Sequence, residues 1–123
     1  MKSLKIVYSI ICLLSALILF SCKSENNTSD AVNYNNEVIY AQNRVTERML
    51  RLSDAINNNK IELLDSIHKE LLSETNKSID KINSMPAFEG DSSLRDIALE
   101  LFNFYKSVIS NEYVELIKIY KKP

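Results

Sequence analysis

The stretch Ser93–Lys121, SLRDIALELFNFYKSVISNEYVELIKIYK, decides the fold. Leu94, Ala98, Leu101, Tyr105, Ile109, Tyr113, Leu116 and Tyr120 recur at steps of 4, 3, 4, 4, 4, 3 and 4. That spacing keeps one side of an α-helix apolar through about seven turns. Ile97, Phe104, Val108 and Ile117 widen the stripe, and Lys118, Lys121 and Lys122 place positive charge where a helix C-terminus favours it. The steady spacing predicts one helix over 92–121. A break near Ser110-Asn111, which would give four helices in all, is the alternative.

Upstream, Pro86-Ala87-Phe88-Glu89-Gly90-Asp91 holds the single glycine and the internal proline. It reads as a turn with Gly90 at positive φ and Asp91 or Ser92 capping the next helix. Before it, Ile61, Leu64, Ile67/His68, Leu71, Thr75, Ile79, Ile82 and Met85 form a second stripe, predicting a helix over 60–85. Asn57-Asn58-Asn59 is the preceding break, with Asn59 and Glu62 in the spacing of a capping box. A third stripe, Tyr34, Val38, Ala41, Val45, Met49, Leu52 and Ile56, predicts a helix over 31–57, with Ser29 or Asp30 as its N-cap. Three stripes joined by short turns give an all-α, antiparallel three-helix bundle over 31–122. Asn57–Asn59 and the C-terminus then share one end, and Pro86–Asp91 the other.

Composition agrees. The chain has 123 residues, room for one small domain. Average usage would give about eight glycines and six prolines at this length, against one and two here. Barrels, Gly-rich phosphate loops and dinucleotide-binding turns are excluded. A net charge of −1 excludes a nucleic-acid binder of the usual basic kind.

The first 22 residues read as an address. Met1-Lys2-Ser3-Leu4-Lys5 is basic, and Ile6–Phe20 is mostly apolar. About 15 helical residues span only ~22 Å, short of the ~30 Å hydrocarbon core. A signal-peptide helix, separate from the bundle and not packed on it, fits better than a permanent span. Leu19-Phe20-Ser21-Cys22 resembles the lipobox of bacterial lipoprotein signal peptides. Leu19, Ser21 and Cys22 match, and Phe20 is bulky for its position. The resemblance implies cleavage between Ser21 and Cys22, removal of residues 1–21 and acylation of Cys22. Ser24, not Asp, stands two residues after Cys22, which favours the outer membrane over the inner in a diderm cell. Several acyl chains anchor stably where one does not. Residues 22–30, polar from Lys23 onward, read as the lipidated cysteine and a flexible tether. Lys2 and Lys5 leave with the leader, so 13 basic residues face 16 acidic ones, a net −3 that disfavours lying on anionic lipid.

Chemistry is sparse. His68 is the one imidazole, with Asp65 three residues before it, and reads as a partly exposed helix histidine. A carboxylate-bridged di-iron site would need that motif twice, so no metal or other cofactor is expected, nor an enzymatic activity. Among the aromatics, Phe102 and Tyr40 fall off the narrow stripes and are the first candidates for exposed contacts. Three helices can satisfy one another, so a monomer is expected.

Tyr34-Asn35-Asn36, Phe88-Glu89-Gly90-Asp91, Leu101-Phe102-Asn103-Phe104-Tyr105-Lys106 and Glu112-Tyr113 resemble an uncharacterised family of small helical bacterial surface lipoproteins. The resemblance covers about residues 30–121 and implies an envelope location with no known reaction. The expectation is a lipid-anchored envelope protein that binds or scaffolds, its partner an unnamed envelope protein or glycan. The alternative is a carrier or sensor of a small apolar ligand held between the helices.

Overall fold

The computed structural model describes residues 24–123, and side chains from residue 29 onward. The expected signal helix, its failure to pack on the bundle, the Ser21–Cys22 cleavage point and the acylated Cys22 lie outside the described residues. Four α-helices and one short 3₁₀ turn follow in order: α1 (Ser24–Asn57), the 3₁₀ turn (Ile61–Leu63), α2 (Leu64–Asn83), α3 (Ser93–Ser110) and α4 (Glu112–Tyr120). No strand occurs among the described residues.

Helix α1 begins at Ser24, earlier than the sequence pattern predicts, so the expected coil tether is helical from that residue. Ser29 and Asp30 therefore stand inside the helix rather than capping it. Polarity had marked this stretch as coil, but polar residues without Gly or Pro are equally compatible with an exposed helix.

Ion pairs record how α1 runs against α2. Glu37 pairs with Lys81 at 3.4 Å, Arg44 with Glu74 at 2.8 Å, and Arg51 with Glu70 at 2.8 Å. Residue numbers rise on one helix as they fall on the other, so the two are antiparallel. At one end the Tyr34 hydroxyl donates to the Pro86 carbonyl at 2.8 Å, and its ring lies 5.5 Å from that of Phe88. Arg95 donates to the Met85 carbonyl at 3.1 Å, and Lys121 pairs with Asp65 at the opposite end. Helix α3 thus returns antiparallel to α2, and three helices pack together up, down and up. The C-terminus and the Asn57–Asn59 turn share one end.

The stripes meet in one core. Val45, Leu64, Leu71, Ile82, Phe102 and Ile109 are fully buried, with Ala41, Leu52, Ala55, Ile67, Ala98 and Ile117 around them. Each large apolar side chain removed from water contributes about 1.5–3 kcal/mol. Two polar side chains are buried with them, Thr75 and Ser78. The Thr75 hydroxyl donates to the Leu71 carbonyl at 2.8 Å, whereas the Ser78 hydroxyl has no partner.

The turns follow their residue types in part: Gly90 takes the expected positive φ and Asp91 engages the start of α3, but the expected capping box is absent. Asn59 does adopt φ 54°, the left-handed conformation asparagine tolerates. No capping box forms with Glu62: Lys60 precedes the 3₁₀ turn without a side-chain cap, and Leu63 precedes α2 likewise. Asn58 closes α1 instead, its Nδ2 donating to the Asp54 carbonyl at 2.9 Å. In the second turn, Phe88 and Asp91 exchange backbone bonds of 3.0 and 2.8 Å across Glu89 (φ 50°) and Gly90 (φ 82°). Two central residues at positive φ mark a type I′ turn. Asp91 Oδ1 then accepts from both the Ser93 amide (2.8 Å) and its hydroxyl (2.6 Å), tying down the start of α3. The Ser93 hydroxyl and then its amide hold the Asp91 carboxyl below its ordinary value of 3.8.

The third helix is not continuous. It ends at Ser110, Asn111 takes φ −115° and ψ −72°, and α4 starts at Glu112. The single helix predicted over 92–121 is thus corrected to two segments. Asn111 Nδ2 donates to the Ser107 carbonyl at 2.9 Å, the same oxygen its own amide reaches at 3.0 Å. A side chain competing for backbone groups is how asparagine interrupts helices. Apolar spacing passes through unchanged because Ile109 and Ile117 stay buried on either side.

Candidate functional site

Among the described residues, the outer surface of α3, the Tyr40 surface of α1 and the end of the bundle beside His68 are candidate places for recognition or chemistry. Helix α3 sends Ala98, Phe102 and Ile109 into the core, with Tyr105 packed against them. The expected exposed contact at Phe102 is therefore corrected: its ring is 0% exposed. Tyr105 stands edge-on to it at 5.7 Å between centroids. Apolar residues cover more than half the circumference of α3, so two stripes one residue apart both keep a 3–4 period. The core took the stripe beginning at Ala98. The other, with Leu94, Ile97, Leu101 and Phe104, faces outward at 41, 64, 38 and 63% exposure. Val108 continues it, half-buried. The small side chain at Ala98 is the one sequence signal for the choice, since it admits close helix approach.

Tyr40, the other expected contact residue, is 61% exposed on α1. The Arg44 guanidinium lies 4.8 Å from its ring centroid. That same arginine reaches Glu74 on α2, so one side chain joins a surface aromatic to the helix pair.

At the end where the chain terminates, a pocket of about 510 Å³ is lined by Asp65, His68, Val114, Ile117 and the lysines Lys118, Lys121 and Lys122, with Pro123. His68 is half-buried, and its Nε2 lies 2.7 Å from the Ile109 carbonyl. A carbonyl only accepts, so Nε2 carries the proton and donates. This bond fixes the ring across to α3, just before the break at Asn111. The nitrogen that would serve as a base or a metal ligand from this side is occupied. Two pocket lysines are also paired, Lys118 with Glu115 at 2.7 Å and Lys121 with Asp65. Val114 and Ile117 supply an apolar wall. The arrangement offers apolar surface and positive charge, and no hydroxyl or thiol nucleophile beside the imidazole.

Among the described residues no group of three or more His, Cys, Asp or Glu side chains is placed to hold a metal ion. No described helix is long and apolar enough to cross a membrane. No family model matches the chain, and no curated protein or solved structure matches it.

Proposed function

We propose that this chain is a lipid-anchored protein of the bacterial cell envelope whose helical bundle acts by binding or scaffolding. The anchoring half rests on the order of features in residues 1–22: basic start, apolar run, then Leu19-Phe20-Ser21-Cys22. The serine at position 24 favours the outer membrane. The binding half rests on one observation, the outward apolar stripe Leu94, Ile97, Leu101 and Phe104 on a helix whose other apolar stripe fills the core. Contiguous apolar surface of that kind marks interaction sites. The carrier alternative needs space between the helices. Phe102, Leu71, Leu64, Ile82 and Ile109 occupy that space, which supports the binding reading over it.

Intact mass of the membrane-extracted protein, beside a Cys22→Ala variant, tests the anchor. The expected species begins at Cys22 and is heavier by two or three acyl chains, with the variant unmodified. A wild-type chain without acyl mass would overturn the anchored reading.

A further inference from the structure

Helix α3 carries two packing seams. Ala98, Phe102, Tyr105 and Ile109 form the first and meet α1 and α2 in the core. Leu94, Ile97, Leu101, Phe104 and Val108 form the second, at steps of 3, 4, 3 and 4. The two sets are offset by one residue, which is 100° around a helix. The first seam serves both neighbours within the bundle, and the second is apolar surface beyond what the core uses, exposed among the described residues. We propose that the second seam is covered by the same seam of a second copy, so that the chain forms a homodimer through α3. The inference deepens the binding reading and rests on it.

Three features select this occupant. The strict 3–4 spacing is that of a coiled-coil seam, which fits another helix rather than a flat surface or a small ligand. The area is sufficient: at these exposures the five side chains present on the order of 400 Å². Apolar atoms make up about 60% of such interfaces, so full burial of the seam corresponds to at most about 1,300 Å² over both copies, which reaches the range of specific dimers. The edges also suit self-pairing. Ser93, Glu100 and Ser107 line one edge and Ala98 and Tyr105 the other. In a parallel pair Glu100 meets Tyr105 of the second copy, so like charges do not oppose. Those edges hold no lysine or arginine, which argues against an anionic lipid surface as the occupant. The expectation of a monomer assumed that three helices satisfy one another fully, and here they leave this seam open.

The test places a photo-cross-linking benzoylphenylalanine at position 97 or 104 of the full chain in the producing cell. A product of doubled mass, with one α3 peptide joined to another, is expected. The same probe at Lys77 on α2 should give none. Cross-links to lipid alone or to a different protein would overturn the dimer. Sedimentation of the detergent-solubilised full chain gives an independent reading. The Ile97→Glu/Phe104→Glu variant should keep its helical circular dichroism, because both sites are exposed, and self-associate about a hundredfold more weakly. A monomeric wild type, or a variant that dimerises as well, would refute the proposal. Pairing is read from protein mass and anchoring from acyl mass, so the two readings fail separately.

Discussion

Phe102 and Phe104 are two residues apart and have opposite fates. Truncating Phe102 to alanine opens a cavity in the buried cluster beside Tyr105 and should cost about 3–5 kcal/mol in chemical denaturation. Phe104→Ala removes an outward ring and should change the stability of a single copy by less than about 0.5 kcal/mol. The sequence could not tell these apart, because an apolar arc wider than half a turn contains two valid stripes. Ser78 is a second residue whose role periodicity hides. Its hydroxyl is buried without a partner, and an orphaned hydroxyl keeps its desolvation cost. Ser78→Ala should therefore raise stability by about 1 kcal/mol, read as a higher denaturation midpoint at unchanged slope. His68, by contrast, was legible as a helix histidine facing partly inward. What no spacing rule reveals is its bond to Ile109, forty-one residues away.

At the scale of elements, the helices were legible and their ends were not. The stripes over 31–57 and 60–85 each identified one helix, whereas that over 92–121 ran through two, α3 and α4, because an apolar period does not register a break at one residue. The helical stretch before Ala31 and the stop at Ser110 were not legible, and at the stop the cause is the Asn111 side chain bonding the Ser107 carbonyl, which polarity and periodicity report poorly. The Phe88–Asp91 turn shows both sides. Gly90 was expected at positive φ and adopts it, but Glu89 joins it at φ 50°, where a side chain with a Cβ is strained. Asparagine occupies that conformation more readily, so Glu89→Asn should stabilise the chain by about 0.5–1 kcal/mol in thermal denaturation. The carboxylates beginning α3 add a pH dependence. The Ser93 donors lower Asp91, and the Ser92 hydroxyl foremost lowers Asp96. A depressed carboxyl stabilises the fold above its unfolded value of 3.8 and loses that contribution as pH falls through its lower folded value. Melting temperature should drop as pH falls from 3.8 through that lower value, and the drop should be shallower in Asp91→Asn.

For the whole molecule, the sequence pattern conveyed the packing of three helices because the turns are too short for other connections. Charge conveyed the register only in retrospect. Glu37–Lys81, Arg44–Glu74 and Arg51–Glu70 step along the α1–α2 boundary, yet many other pairings satisfy the same composition. Exposed pairs contribute little singly, so Arg51→Ala should shift stability by less than about 1 kcal/mol in chemical denaturation. Arg44→Ala should cost more, since it also loses the half-buried contact with Glu74 and its place over Tyr40.

The up-down-up order has a consequence in time. Helices adjacent in sequence are adjacent in space, so the chain reaches its native contacts by closing short loops, and such topologies fold in microseconds to milliseconds. A protein bound for the envelope crosses the membrane as an extended chain. Under the proposed address, the bundle starts a clock as soon as its last helix leaves the ribosome. The leader, made first, must engage the export machinery before that clock runs out.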